Sequence, residues 1–194
     1  MRPRILVLPV EAVVIALLTV YKLTRTYPPM PLDRAVPGTE KPAPLFELLD
    51  QHKPSELVRL VRYAGRQRVV IVFFDGKGGA DRSPVLETLR REFAALHGAG
   101  IAVLAVSTAL PQENRKVLER IGPSPFPLLS DPDLGAHRAW GRVEESTGKA
   151  RTGVFLLNRA GNVAWSVQAD APQPVAEAEA DPTRFVRSLL ERSE

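Results

Sequence analysis

The chain contains no cysteine. That absence removes disulfides, thiolate metal sites and every reaction that runs through a thiol. It leaves the compartment open, because a thiol-free chain tolerates either redox environment. Also missing is any Lys/Arg block with interleaved aromatics, and the net charge is only +4, so nucleic acid is not expected as a partner. The three histidines, His52, His97 and His137, show no i, i+4 ligand spacing and none sits in a carboxylate cluster. No metal is therefore expected, and all three read as structural or exposed. Asp131 and Asp133 in "SDPDLG" are followed by too few oxygen ligands for calcium, and Asp131 reads as a cap before Pro132. Ser83 lacks the Gly-x-Ser-x-Gly context of an esterase nucleophile. The full phosphate-loop motif is absent, as is any internal repeat. No cofactor is expected.

What remains is a 194-residue chain with 44% hydrophobic and 25% charged residues, enough for one ordinary domain and an appendage. The appendage is N-terminal. "MRPRILVLPVEAVVIALLTVYKLTR" sets Arg2 and Arg4 before an apolar run from Ile5 to Tyr21, with Lys22 and Arg25 behind it. The length is close to the minimum for crossing a bilayer, and no small-x-small cleavage site follows. Residues 1–25 therefore read as an uncleaved membrane anchor, with the globular part expected outside the cytoplasm. Pro9 and Glu11 oppose this, and an amphipathic or buried helix of a soluble protein is the alternative. Residues 26–43 are proline-rich and without period, as in a semi-extended tether, and residues 44–194 form the domain.

Within the domain the periodicity alternates. "SELVRLVRYAG" places Leu57, Leu60, Val61 and Ala64 on one helical stripe, with Ser55 as its cap. "RVVIVFF" is an apolar run suited to a strand buried on both faces. Ser83 and Pro84 then open a helix whose stripe is Leu86, Leu89, Phe93 and Leu96, stopped by Gly98 and Gly100. "IAVLAVS" is a second buried strand, and "PQENRKVLERIG" a helix with Val117, Leu118 and Ile121 inward. "FPLLSD" reads as a short strand and "PDLGAHRAWG" as a short helix. "GVFLLN" and "VAWSVQ" flank a hairpin turn, and "DPTRFVRSLLERS", capped by Asp181, closes the chain after an acidic loop, "AEAEAD". The order β-α-β-α-β-α-β-β-α predicts an α/β fold, a mixed central sheet with helices on both faces.

These stretches, in this order, resemble the peroxiredoxin branch of the thioredoxin fold, the alkyl hydroperoxide reductase and thiol-specific antioxidant family. The resemblance rests on "KPAPLFELLD", "VVIVFF" with "SPVLETLRREF", "GIAVLAVST", "PFPLLSDPDLGAHRAWG" and "GVFLLNRAGNVAW". It implies a thioredoxin-like sheet and, in ordinary members, a peroxidase. Their loop reads proline, three residues, threonine or serine, two residues, then the peroxidatic cysteine. Ser83 matches the hydroxyl position, and the cysteine position falls on Leu86. The loop "DGKGGADR" is longer than the family's and lacks its proline. The family's late arginine has its nearest counterpart in Arg151, one position early. Ser83, Leu86 and Arg151 are thus the expected remnant of a site, with no catalytic residue among them. Leucine offers no lone pair to a peroxide.

The function expected from these residues is a membrane-tethered, non-catalytic binding or scaffold module for an unidentified protein partner or small ligand. One alternative is an antioxidant oxidoreductase role in which a partner supplies the cysteine. A weaker one is anion or nucleotide binding at Gly76–Ser83, with Lys77, Gly78, Gly79 and Arg82 as ligand-binding candidates through backbone N–H groups. A flexible, solvated turn is the plainer reading of that loop. The resemblance also allows a homodimer through a sheet edge.

Overall fold

The computed structural model describes residues 41–168 and 182–191. The expected anchor at Ile5–Tyr21, most of the tether, the acidic loop and the Asp181 cap lie outside the described residues. Seven strands form one sheet in the order β2-β1-β5-β4-β3-β6-β7. They are β1 (Glu47–Leu49), β2 (Leu57–Arg59), β3 (Arg68–Phe74), β4 (Ile101–Ser107), β5 (Leu128–Ser130), β6 (Gly153–Leu157) and β7 (Val163–Gln168). β3, β4 and β5 run parallel, and the flanking strands pair antiparallel. The helices are α1 (Pro84–Arg91), α2 (Phe93–Gly98), α3 (Pro111–Ile121), α4 (Gly135–Ala139) and α5 (Pro182–Glu191).

The central strand explains why both faces are covered. Along β3, Val70, Val72 and Phe74 point into one core and Val69, Ile71 and Phe73 into the other. A strand alternates its side chains, so an unbroken apolar run must be covered twice. The first core holds Leu86 and Leu89 of α1, Leu96 of α2 and Phe185 and Leu189 of α5, with Val117 and Leu118 of α3 against it. The second holds Trp140 at the end of α4 and Phe46 and Leu60 beside β1 and β2. The mixed sheet with helices on both faces is therefore as the periodicity predicts.

Two local expectations need correction. "SELVRLVRYAG" is not a helix: Leu57–Arg59 form β2, followed by a single 3-10 turn at Leu60–Arg62. Asp50 decides this, because its Oδ1 accepts N–H groups from His52 (3.0 Å) and Glu56 (2.8 Å), folding the chain back so that β2 pairs with β1. Ser55 caps nothing; its hydroxyl donates to the His52 carbonyl. The long helix after Pro84 is interrupted at Glu92, though Leu86, Leu89 and Leu96 still share one core. Gly98 lies inside α2, and the left-handed residue that ends it is Gly100, with φ 71°. Near the expected start of the domain, Val163 donates to the Lys41 carbonyl and Ala43 to that of Gly161.

Candidate functional site

The parallel strands β3, β4 and β5 all end on one side of the sheet, and their following loops line a cleft of about 990 Å³. Crevices at the carboxyl ends of parallel strands are where α/β folds commonly hold ligands. Its walls come from the loop Asp75–Gly79 with Arg82, from Thr108 and Ala109 with the inner side of α3, and from the Pro132–Leu134 segment. A fourth wall is the tip Thr147–Ala150. That tip belongs to a small hairpin, bridged at Val143 and Ala150 and gathered on Glu144, which accepts from the Thr147 hydroxyl and from Arg151 at 2.7 Å. Those two donors, Thr147 first and Arg151 second, hold the Glu144 carboxyl below its ordinary range.

The glycine-rich loop is tied down. Asp75 Oδ1 accepts from Lys77 N–H at 3.0 Å and from the Thr108 hydroxyl at 3.1 Å, while Thr108 Oγ1 accepts from Gly76 N–H at 2.9 Å. Gly79 N–H reaches the Gly76 carbonyl, and Arg82 N–H the Gly79 carbonyl. A Cβ on Gly76 would lie 2.5 Å from Ala109 N and 2.6 Å from its Cβ, so only glycine permits this approach. Gly79, at φ 81° and ψ 157°, occupies a conformation open essentially to glycine alone. The loop is thus a braced element. Four of its N–H groups are already engaged, which does not suit the expected backbone cradle for an anion. The side chains of Lys77 and Arg82 face the cleft nonetheless.

The expected remnant does not line this cleft. Ser83 is the N-cap of α1, its hydroxyl accepting from Leu86 N–H at 3.4 Å. Leu86 is 1% exposed and packed in the first core. Arg151 is engaged with Glu144 on the hairpin. Of the candidates, Lys77, Gly78, Gly79 and Arg82 are brought together, and Ser83 at the N-cap meets Leu86 in the first turn of α1. Arg120 and Lys149 are the cleft's other cations, and nothing in the sequence pattern pointed to them. The run "STGK" is a recognisable turn, but only the fold shows what it faces.

Two of the histidines each have one carboxylate partner. His52 Nδ1 meets Asp50 Oδ2 at the surface. His137 is fully buried, its Nδ1 2.7 Å from Asp131 Oδ2 and its ring edge-on to Phe73 at 5.0 Å. Asp131 does not cap at Pro132. It receives the His137 backbone N–H at 2.8 Å, after a turn that sends Leu134 to φ 59°. Burial alone would raise the Asp131 carboxyl. Hydrogen bonds from the His137 ring and from the backbone of His137 and Ala136 outweigh it and hold the carboxyl below its ordinary value. Asp50 follows the same pattern: burial raises it, and bonds from Glu56 and His52 lower it further. Among the described residues no group of three or more candidate metal ligands occurs.

The sequence model of the AhpC/TSA family matches residues 39–166. No curated protein matches the sequence. Among solved structures, peroxidoxin BcpB from Mycobacterium tuberculosis is similar with a TM-score of 0.64 at 19% identity, over 80% of this chain and 95% of that one. Peroxiredoxin Q from Xanthomonas campestris gives 0.59 at 22% identity, over 77% and 92%. The mitochondrial 2-Cys peroxiredoxin from Plasmodium falciparum gives 0.59 at 17% identity, over 76% and 94%. At these identities the likeness is one of fold.

Proposed function

The chain belongs to the AhpC/TSA family, and from that premise we propose that it is a thiol-free binding module that does not run a peroxidase cycle. One observation carries this reading: the chain has no cysteine anywhere. Reduction of a peroxide by this scaffold needs a thiolate to attack the O–O bond and become a sulfenic acid. The helix start where relatives would be expected to keep that sulfur carries Leu86, closed into the core. What the fold offers instead is the braced cleft at the strand ends, an open surface with charged groups on it.

The reading extends to placement. Residues 1–25 anchor the module in a membrane and the tether holds it off the surface, with the domain outside the cytoplasm. The support is the apolar run Ile5–Tyr21 behind Arg2 and Arg4. A coupled assay of peroxide consumption with a thiol reductant tests the central claim. Consumption at the rate of the protein-free blank is expected, and turnover above it would remove the binding-module reading.

A further inference from the structure

The cleft has a charge imbalance that its own contacts leave standing. Lys77, Arg82, Arg120 and Lys149 line it, against the carboxylates of Asp75 and Glu113. Both carboxylates are engaged with the protein: Asp75 as described, and Glu113 by accepting Leu110 N–H at 2.8 Å. Arg120 is paired with Asp81 at 2.8 Å. Lys77, Arg82 and Lys149 make no direct ion pair among the described residues, although Lys149 lies near enough to Glu144 to help hold its carboxyl down. They come from two separate segments, the braced loop and the hairpin tip, so the fold converges like charges on one space. Like charges brought together repel unless something negative lies between them.

The other linings narrow the ligand further. About 990 Å³ is far larger than a single ion needs and is at the upper end for a small organic molecule. No aromatic side chain lines the cleft, so a nucleobase has nothing to stack on. The Thr108 and Thr147 hydroxyl protons are already spent on Asp75 and Glu144, and the polar groups of the lining left to accept from a ligand include the carboxylates of Asp75 and Glu113. We propose that this cleft binds a small, non-aromatic, hydroxylated organic phosphate. The phosphate dianion is held by the side chains of Lys77, Arg82 and Lys149, and the hydroxyls are directed at the acidic wall. Arg can grip a phosphate with two parallel N–H bonds, and lysine supplies point charge. The site uses side chains where the sequence suggested backbone, and the nucleotide alternative gives way to a ligand without a base. The inference rests on the binding-module reading only for its location.

Titration calorimetry on the full-length chain in mild detergent tests it, with ribose 5-phosphate, AMP and ribose as probes. Ribose 5-phosphate is expected to give saturable heat, ribose none, and AMP an affinity no better than ribose 5-phosphate. Lys77→Ala, Arg82→Ala and Lys149→Ala should each weaken ribose 5-phosphate about tenfold, as loss of a charged hydrogen bond does. Lys116→Ala, an exposed cation of α3 outside the cleft, should leave it unchanged. No saturable heat, equal competition by chloride at matched ionic strength, or binding that survives all three cleft variants would overturn the site. AMP binding tenfold tighter would overturn the ligand class. Failure here without peroxide turnover removes the ligand and leaves the thiol-free module standing; peroxide turnover alone removes the module and leaves the titration result intact.

Discussion

Leu86 occupies the first turn of α1, where the Ser83 hydroxyl meets its N–H, yet its side chain is 1% exposed among apolar neighbours. Two effects would compete on a thiol placed there. The helix N-terminus favours the thiolate by about 0.3–1 kcal/mol, less than one unit of pKa. Burial in an apolar cluster opposes it by up to about 3–5 units. Burial wins, so Leu86→Cys is expected to stay protonated at neutral pH and to ignore hydrogen peroxide. Iodoacetamide labelling of the native variant checks this, and labelling within minutes would refute it. Leu86→Ala should cost about 2–5 kcal/mol in urea denaturation, the range for a leucine cavity. The Asp131–His137 pair makes a second prediction. A carboxyl whose pKa is depressed on folding contributes stability that is complete above its unfolded value, about 3.9, and is lost as pH falls through the lower folded value. Stability should therefore drop below about pH 4, and Asp131→Asn, less stable at pH 6, should show a shallower acid limb than the natural chain. Equal slopes in urea titrations from pH 6 to 3 would remove Asp131 from this role. The Ser83 cap was legible because capping is local chemistry. The His137 pairing was not, because it spans six residues through a left-handed turn at Leu134.

β2 shows how a short apolar pattern can mislead. Leu57, Leu60 and Val61 fit a helical stripe, but Leu57, Val58 and Arg59 pair with β1, with Leu48 opposite Val58. A run this short is helix or strand according to its neighbours, and Asp50 supplies the turn that brings them together. The glycine loop carries the sharpest test of an element. Gly76→Ala would drive a methyl into Ala109 and loosen the Asp75–Thr108 brace, costing about 1–3 kcal/mol by the usual overpacking penalty. Gly78→Ala, whose Cβ would sit 3.8 Å from Arg82 Cδ, is expected to be nearly neutral. Chemical denaturation of the pair distinguishes a braced loop from a slack one: a slack loop would tolerate both. The loop's glycines were visible in the sequence, and its rigidity was not, since the brace comes from Thr108, thirty-three residues from Asp75.

The described segments 41–168 and 182–191 hold seven strands and two cores, and no helix among them is long and apolar enough to cross a membrane. The apolar run Ile5–Tyr21 is the proposed anchor. The full chain is expected in the membrane fraction, and deletion of residues 1–26 should release a folded domain into the soluble fraction. Sedimentation of both forms measures this; a freely soluble intact chain would refute the anchor.

The order of hydrophobic runs, the proline and serine that start α1 and the total lack of cysteine sufficed to identify an AhpC/TSA scaffold without the family's peroxidatic thiol. These are properties of composition and of near neighbours along the chain, and side-chain period and capping act within a few residues. The cleft is a different kind of fact. Lys77, Arg120 and Lys149 are far apart in sequence and belong to elements with no shared pattern. They meet only because the loop after β3, the end of α3 and the hairpin before β6 line one cleft, and that convergence exists nowhere in the chain until it folds.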